Sequence, residues 1–523
     1  MRKIYTCMTT FFLMMLYSAS LLGGNWFAYV SSLDDQTIVP LNLTTNTFGT
    51  AIPLTGFVLF NPVITPDGRT IYASCPNSAD VIVIDVASNS VIATVPVPFP
   101  GGIAMSPDGS SVYVVSTGSG VNRVSKIDVA TNTVVDRIST ALAADGANDI
   151  AITPDGLLAY VVSTLTANLT VIDLTTDTVT IPSIPVGVEP VQIAMTPDGK
   201  TAYVADSLDG LFPVDLATNT VGPVIALSGG GADTLAVTPD GSLVYGVTES
   251  ILICAVSTAT NSEVANINVG LSSEGIAIRP DGLVAYLAKG FSGIVDLIDI
   301  PTQTLSSFVS TGVDTPMLAI VITPDQAPVA AFSFTSPNTF DASQSSASVG
   351  GIASYAWDFG DGTTLVTTSP IVTHNYAMEG TFLVTLTVTD TAGTSTVRVF
   401  TGHVVTNNGG PSATFSLLIT IPNVGPTPTP PSHFVGRVVE NKFATQTEYI
   451  HQLKWIPSSD PSVVEYQLFR NGKLIAVIPA SGPFVYLDHN RRKHRQDVYT
   501  LIAVSSSGLQ SLPVTNVVPL NPL

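Results

Sequence analysis

The sequence predicts an all-β protein, and three observations support this prediction. Val, Ile, Thr and Ala dominate the chain, and Gly, Pro, Asn and Asp interrupt it at short intervals, which is typical of short strands joined by tight turns. No long segment shows the apolar spacing of an amphipathic helix. A hairpin sequence of the form "IAITPDGLLAYVVS", residues 150–163, recurs along the first 326 residues.

The N-terminus has the composition of an export signal. Arg2 and Lys3 precede an apolar run from Phe11 to Leu22, and Ser18-Ala19-Ser20 within it offers small residues for the −3 and −1 positions of a cleavage site. The run is shorter than the roughly 20 residues that a membrane-spanning helix needs. We therefore expect residues 1–24 to be a signal peptide, with an uncleaved membrane anchor as the alternative. No later segment predicts a membrane span.

The repeated hairpin predicts the architecture of residues 25–326. Its Pro-Asp turn occurs seven times, 41 to 47 residues apart, at Pro66, Pro107, Pro154, Pro197, Pro239, Pro280 and Pro324. Each unit predicts four short strands, which form one blade of a β-propeller. The chain begins in mid-unit and the last unit has one strand. We therefore predict seven blades, the last combining one C-terminal strand with three N-terminal ones.

Two sets of aspartates recur in this repeat and have a predicted structural role. In the Pro-Asp-Gly turn, Pro fixes φ, Asp accepts local backbone hydrogen bonds and Gly adopts positive φ. The second set is expected to cap the hairpin that follows it: Asp85, Asp128, Asp173, Asp215 and Asp299. Cys75 and Cys254 lie in different units and are predicted to be buried apolar residues, not a disulfide or metal site.

The unit "AYVVSTLTANLTVIDLTTDTVTIPSIPVGVEPVQIAMTPDG" (159–199) resembles the YVTN β-propeller repeat, and the resemblance extends over roughly residues 28–326. Proteins of this kind are found on bacterial and archaeal cell surfaces, some as surface-layer components. The resemblance thus implies an architecture and a location.

Residues 327–405 predict an immunoglobulin-like β-sandwich. The segments "WDFGDG" (357–362), "HNY" (374–376) and "VTLTVTD" (384–390) resemble a PKD domain. Asp358 and Asp361 are candidate Ca²⁺ ligands, because Ca²⁺ prefers clustered carboxylate and carbonyl oxygens. The alternative is that both aspartates only form the turn.

Residues 406–431 are rich in Gly, Pro, Thr and Asn and are predicted to be a linker. Residues 432–523 resemble a fibronectin type III domain, with Trp455 in the second strand, Tyr499 late in the fold and the hairpin turn "RNGK" between strands. The predicted fold is therefore a seven-bladed β-propeller followed by two immunoglobulin-like β-sandwiches.

Charge is distributed unevenly. Residues 25–326 carry 7 Lys and Arg against 28 Asp and Glu, whereas residues 429–523 carry 9 against 6. A candidate partner-binding loop in the basic region contains Arg491, Arg492, Lys493 and Arg495. Such a loop would meet anionic envelope polymers, phospholipid headgroups or the acidic propeller of another copy; the alternative is a solvated loop. An exported chain with this net charge is not expected to bind nucleic acid.

The segments that lead into the first strand of several propeller units carry an acid: Asp149, Glu189, Asp233, Glu274 and Asp314. We expect them near the mouth of the central channel, where they would hold a divalent cation or a cationic ligand, or else be solvated surface acids. Residues 25–326 contain no His, which argues against a His-ligated copper site and against His-based acid–base chemistry.

These features favour an exported, non-enzymatic protein of the cell surface or periplasm. Its propeller would bind a cell-envelope protein or polysaccharide, and its sandwiches would serve as stalk or attachment modules. No cofactor is expected, with Ca²⁺ as the one candidate ion, and self-assembly is a further possibility. The alternative is a propeller enzyme of the lactonase or dehydrogenase type with a metal at the acidic channel mouth.

Overall fold

The computed structural model describes residues 25–56, 58, 62–116, 123–140, 146–290, 292–311, 316–421, 427–492 and 495–519. Its regular elements are β-strands, apart from one 3₁₀ turn at Pro411–Ala413. The prediction of an all-β fold is confirmed. The predicted signal peptide lies outside the described residues. In the part of the chain that is described, no helix is long and apolar enough to cross a membrane.

Antiparallel four-stranded sheets repeat along residues 63–310. Their strands are, sheet by sheet, Val63–Ile64, Thr70–Cys75, Asp80–Asp85 and Ser90–Pro96; Pro100–Met105, Ser111–Ser116, Arg123–Asp128 and Thr133–Ser139; Ala147–Ile152, Leu158–Ser163, Asn168–Asp173 and Thr178–Pro185; Pro190–Met195, Thr201–Asp206, Gly210–Asp215 and Thr220–Val221; Thr234–Val237, Leu243–Val247, Leu252–Ser257 and Ser262–Asn268; Ser273–Ile278, Val284–Lys289, Ile294–Asp299 and Thr304–Ser310. The first strands of successive sheets contact one another in a ring. This is the arrangement of a β-propeller, whose first strands line the central channel.

One further sheet joins the two ends of the propeller. Its C-terminal strand Met317–Ile322 pairs antiparallel with the N-terminal strand Phe27–Ser32, with Val321 opposite Tyr29. The sheet continues through Thr37–Asn42 to Thr47–Phe48 and Ile52–Pro53. The predicted closure by one C-terminal strand is confirmed, and it leaves no unpaired edge between the two ends of the repeat.

The recurring aspartates have the predicted structural role. In the hairpins that join third and fourth strands, Asp85 Oδ1 accepts a hydrogen bond from the Ser88 amide at 2.7 Å, and Asp128, Asp173, Asp215 and Asp299 cap their hairpins in the same way. In the Pro-Asp-Gly turn of residues 154–156, Asp155 Oδ1 accepts the Leu157 amide. These carboxylates are therefore used locally. Cys75 and Cys254 are buried and free, as predicted.

A buried tyrosine in the second strand ties each of several sheets to the next. Tyr203 Oη donates to Asn261 Oδ1 at 2.6 Å, and Asn261 adopts a left-handed conformation with φ 49°. The same bond recurs at Tyr29–Asn89, Tyr72–Asn132 and Tyr160–Asn219, and with a glutamine at Tyr245–Gln303. Because each phenol reaches a turn of the neighbouring sheet, these bonds fix the spacing of the blades.

The segment after the propeller forms a β-sandwich around Trp357. Its strands are Asp325–Gln326, Ser333–Thr335, Thr339–Asp341, Ile352–Asp358, Thr364–Thr367, Ile371–Thr373, Gly380–Asp390, Arg398–Phe400, Val405–Asn408 and Thr414–Ile421. Trp357 packs against Phe332 and Phe340, with ring centroids 5.0 and 5.6 Å away. The structure differs here from the predicted linker 406–431: Val405–Asn408 and Thr414–Ile421 pair within this segment, because their alternating side chains complete its sheets.

The C-terminal segment contains two sheets of its own. One holds Ser432–Lys442, Thr447–Ile456 and Val485–Arg491, and the other Val463–Arg470, Lys473–Pro479, Asp497–Ser505 and Val514–Val518. Trp455 and Tyr499 are both buried in the core between these sheets. Trp455 lies in the second strand, where the sequence places it.

Candidate functional site

The central channel of the propeller contains a hairpin from the following sandwich. We call residues Arg398–Asn408 the plug hairpin; its strands are Arg398–Phe400 and Val405–Asn408. At its base, Arg398 Nη1 donates to the Pro107 carbonyl at 3.2 Å, on the edge of the propeller that carries the Pro-Asp-Gly turns. We call this edge the turn face. The plug hairpin thus enters the channel from the turn face.

The tip of the plug hairpin lies against the channel wall. The Ile152 amide donates to the Gly402 carbonyl at 3.2 Å, and Phe400 and Val405 belong to the apolar core of two adjacent blades. Gly402 has φ +91°, and a Cβ at this position would lie 2.9 Å from the Met195 nitrogen. Only glycine fits here without displacement of the backbone.

His403, at the same tip, contacts one of the predicted channel acids. Its Nε2–H donates to the Ile193 carbonyl at 2.6 Å and lies 3.3 Å from Asp149 Oδ2. Asp149 also accepts the Ile193 amide at 3.1 Å. Burial acts to lower the pKa of His403, but the neighbouring Asp149 carboxylate outweighs burial and raises it. The direction of this shift favours the charged imidazole, for which Asp149 is the counter-ion inside the channel.

The plug hairpin leaves little free space in the channel. A cavity of about 80 Å³ remains between His403 and Val404 on one side and the first strands around Ala236, Ile276 and Ile320 on the other. Its walls are mainly aliphatic, so it resembles a packing gap more than a polar active site. Residues 25–326 contain no His, yet the channel contains an imidazole, because His403 enters it from the next domain.

The other predicted channel acids lie on the opposite edge, which we call the loop face; it includes connections 186–189, 207–209, 228–233, 248–251 and 269–272. Asp233 accepts the Ser207 hydroxyl at 2.7 Å, and burial together with Glu249 and Glu189 raises its pKa. Burial, Asp233 and Glu249 raise the pKa of Glu274. These acids are therefore neighbours. Asp314 lies outside the described residues.

The loop-face acids are not gathered into a metal-binding cage. Among the described residues, no group of three or more His, Cys, Asp or Glu side chains has an arrangement that would hold a metal ion. Asp149 is drawn into the ion pair with His403, and Glu189 and Glu274 are exposed. What the arrangement provides is a negative potential over one edge of the propeller.

The aspartates proposed as Ca²⁺ ligands in "WDFGDG" hold their turn together. Asp358 Oδ1 accepts the Gly360 amide at 2.9 Å, and Asp361 accepts the Thr363 amide and hydroxyl. Asp361 Oδ2 also pairs with His374 Nε2 at 2.7 Å. Burial acts to raise the pKa of Asp361, but the bonds to Thr363 and His374 lower it to about 2. This geometry corresponds to the turn-forming alternative.

The predicted basic loop divides into two parts. Arg491 is half-buried and faces Asp488 at 3.6 Å and Asp497 at 4.0 Å, whereas Arg492 and Arg495 are exposed. Lys493 lies outside the described residues. The exposed arginines are thus the ones available to a partner.

Asp488 belongs to a buried polar network beneath that loop. It accepts two bonds from Arg470, at 2.8 and 3.0 Å, and one from Tyr499 Oη at 2.6 Å. Because the Tyr499 proton is engaged there, the phenol oxygen accepts from His451 Nδ1 at 3.0 Å. The network explains why Tyr499 is fully buried although it carries a hydroxyl.

The comparisons with known proteins agree with the class of protein that these features define, a β-propeller followed by a PKD domain. Residues 323–405 match the PKD domain family. No curated protein matches the chain.

Several solved structures are similar to part of this chain. A functionally unknown protein from Desulfotomaculum acetoxidans is 17% identical, with a TM-score of 0.51 over 57% of this chain and 98% of the other. Hydrazine synthase from Kuenenia stuttgartiensis (20% identical, TM-score 0.45, 53% and 90% covered) and dihydro-heme d1 dehydrogenase NirN (14% identical, TM-score 0.45, 56% and 74% covered) are also similar. At these identities the similarity concerns the fold alone.

Proposed function

We propose that this chain is an exported binding or structural protein of the cell surface or periplasm, without enzymatic activity. The observation that carries the proposal is the plug hairpin. Active sites and small ligands of propellers need an accessible concave pocket, and here the chain's own Phe400, Gly402 and His403 occupy the channel. The loop face remains as the exposed binding surface.

We further infer the finer architecture that accompanies this function. The ring of first strands and the closing sheet support seven blades of the YVTN type. The two-sheet C-terminal segment, with Trp455 and Tyr499 in its core, supports a fibronectin type III-like attachment module. The PKD match at 323–405 supports an extracellular location, which is typical of that domain.

The proposal is tested by capture from an envelope extract. The chain from residue 25 onward is immobilised, and bound protein and polysaccharide are identified by mass spectrometry and sugar analysis. We expect specific capture that is lost after Leu208→Ser/Asp209→Asn on the loop face and kept after Val135→Ser/Asp136→Asn on an outer strand. Capture that is the same in both variants as in the unchanged protein would contradict the proposal. So would cell fractionation that places the protein in the cytoplasm.

The metal-dependent enzyme makes a different prediction. It requires Ca²⁺ or Mg²⁺ to bind at the loop-face acids, with the heat of binding abolished by Asp233→Ala and Glu274→Ala. Calorimetric titration of both ions tests this directly. If either ion binds saturably, both substitutions abolish that binding, and the protein turns over a lactone or an alcohol, then the protein is an enzyme and the proposed binding function is wrong.

A further inference from the structure

Connections of the loop face repeatedly place an exposed aliphatic side chain beside an exposed carboxylate. The pairs are Val188 with Glu189, Leu208 with Asp209, Ile251 with Glu249, and Leu271 with Glu274. The aliphatic residues are 59%, 59%, 44% and 51% exposed, respectively. Exposed aliphatic residues scattered singly need no explanation, but four on adjacent connections of one edge form a patch.

Hydrogen bonds between the connections make the patch continuous. The Ser207 amide donates to the Glu189 carbonyl at 3.1 Å, and the Ser207 hydroxyl donates to Asp233 at 2.7 Å. The Asp233 amide donates to the Val247 carbonyl, and the Val269 amide donates to the Ile251 carbonyl, each at 2.9 Å. The four pairs therefore lie along one stretch of the loop face, with Glu274 at the start of the strand Ser273–Ile278 and the other members on the connections.

Two of the four pairs are held by one buried carboxylate. Asp206 is fully buried. Its Oδ2 accepts hydrogen bonds from the Val188 and Glu189 amides at 2.7 and 2.8 Å. Its Oδ1 accepts hydrogen bonds from the Leu208 and Asp209 amides, each at 2.9 Å. The residues that it fixes are the ones that present the aliphatic and acidic side chains. A surface ordered in this way loses little conformational entropy when it binds a partner.

The charge of the patch specifies the partner. Residues 186–274 contain one basic side chain, Lys200, and it lies in a Pro-Asp-Gly turn of the other edge, 3.2 Å from Asp198. A second lysine, Lys289, reaches connection 269–272 from the following strand, where its buried Nζ donates to the Val269 and Leu271 carbonyls. Because Lys289 is already paired with Asp296 at 2.9 Å, its charge is used inside the protein and the exposed carboxylates of the patch are left for a partner. Opposite charge complements such a surface, and aliphatic anchors provide the desolvated contacts that carry affinity.

We propose that this patch docks a protein segment in which basic side chains alternate with apolar ones. This inference rests on the proposed binding function and names the partner's chemistry. A protein fits better than a polysaccharide, because the anchors Val188, Leu208, Ile251 and Leu271 are aliphatic and offer no aromatic face on which a sugar ring would stack.

The test uses synthetic peptides and the chain from residue 25 onward. A fluorescent peptide of alternating lysine and leucine is titrated with the protein, and anisotropy gives the Kd at low and high salt. Peptides of alternating lysine and serine, and of glutamate and leucine, are the controls. We expect binding of the lysine–leucine peptide alone, weakened by salt because the carboxylates are exposed.

Matched double variants locate the binding. Leu208→Ser/Asp209→Asn and Val188→Ser/Glu189→Gln should each raise the Kd about tenfold, as expected for loss of one anchor and one charge. Val135→Ser/Asp136→Asn, an exposed aliphatic–acid pair on an outer strand, should leave it unchanged. Thermal unfolding confirms that each variant is folded. If Leu208→Ser/Asp209→Asn does not fold, Val188→Ser/Glu189→Gln still tests the inference.

Three results would overturn the inference: equal binding of the lysine–serine peptide, equal loss in the outer-strand variant, or no binding of the lysine–leucine peptide. The proposed function fails separately. If an envelope extract yields a polysaccharide or an uncharged protein that still depends on the loop face, the chemistry proposed here is wrong while the binding function stands. If the extract yields nothing at this face, the function fails as well.

Discussion

The ion pair between His403 and Asp149 should hold the plug hairpin in the channel, and His403→Ala is the perturbation that tests this. Asp149 is 5% exposed and would keep only the Ile193 amide as a partner. Removal of one member of a buried ion pair typically costs about 3–5 kcal/mol. Since 15% of the His403 side chain is exposed, we expect a loss at the low end, about 3 kcal/mol.

Global unfolding of a multidomain chain is not two-state, so the assay is hydrogen exchange of one amide. The Ile152 amide donates to the Gly402 carbonyl and exchanges only when the hairpin leaves. A loss of about 3 kcal/mol accelerates its exchange by roughly a hundredfold. His374→Ala is the matched control, because it breaks a His–Asp pair in a turn away from the channel.

A double-mutant cycle makes the expectation refutable. In the His403→Ala variant the Asp149 carboxylate is left without its partner, and Asp149→Asn removes that charge. The Ile152 amide of the double variant should therefore exchange more slowly than the two single effects predict when added, with a coupling energy of about 2 kcal/mol. Additive effects would show that the pair contributes nothing and that Phe400 and Val405 alone retain the hairpin.

The raised pKa of His403 gives the same contact a pH dependence with a definite sign. A histidine whose pKa in the fold exceeds its ordinary value of 6.5 stabilises the fold fully below that value and loses this contribution as pH rises through the raised pKa. Protection of the Ile152 amide, corrected for intrinsic exchange, should therefore fall with rising pH. Protection that is flat with pH, or that increases, would refute the assignment of a charged imidazole.

Three further predictions concern the same junction and the blades. Burial and the adjacent Asp325 raise the pKa of Asp390 to about 7, so the stability that Asp390 contributes is fully present below its ordinary pKa of 3.8 and is lost as pH rises to about 7. Asp390→Asn should therefore flatten the dependence of thermal unfolding on pH between about 4 and 7, and an unchanged slope would contradict this. Tyr203→Phe leaves the Asn261 side-chain carbonyl without its donor and should accelerate hydrogen exchange of the amides in Thr201–Asp206 by the equivalent of about 1–3 kcal/mol, whereas unchanged exchange would show that water replaces the phenol. Gly402→Ala, at φ +91°, should expose the channel to limited proteolysis at the plug hairpin, and an unchanged digestion pattern would show that the backbone relaxes.

The propeller could be predicted from sequence because its signals are local. A Pro-Asp-Gly turn and a capping residue such as Asp215 act within three residues of chain, and their repetition along residues 25–326 amplifies a weak pattern. The closing sheet also follows from counting strands: with three at one end and one at the other, Met317–Ile322 has its natural partner in Phe27–Ser32.

The plug hairpin could not be predicted in the same way, because its partners are remote in sequence. His403 and Asp149 are 254 residues apart (403 − 149), and nothing in the repeat marks Asp149 as the acid that will be buried. A weak signal exists in "FTGHVVT" (400–406). A Gly-His turn between apolar residues is unusual for an exposed hairpin, and it is consistent with a tip that enters a protein interior.

The two edges of the propeller differ in how much the repeat constrains them, and this difference bears on function. At the turn face six units share the Pro-Asp-Gly geometry and the seventh has Pro-Asp-Gln at 324–326, so the edge is nearly uniform, and it contacts the sandwich through carbonyls such as that of Pro107. At the loop face no shared turn is required, and the connections are free to differ. There, one buried carboxylate, that of Asp206, accepts hydrogen bonds from the backbone amides of both Val188–Glu189 and Leu208–Asp209. Under the proposed function, attachment through the sandwich and recognition at the aliphatic and acidic patch therefore use opposite edges of the propeller. Substitution of Asp206 should therefore impair binding at the loop face while leaving the Ile152 amide protected.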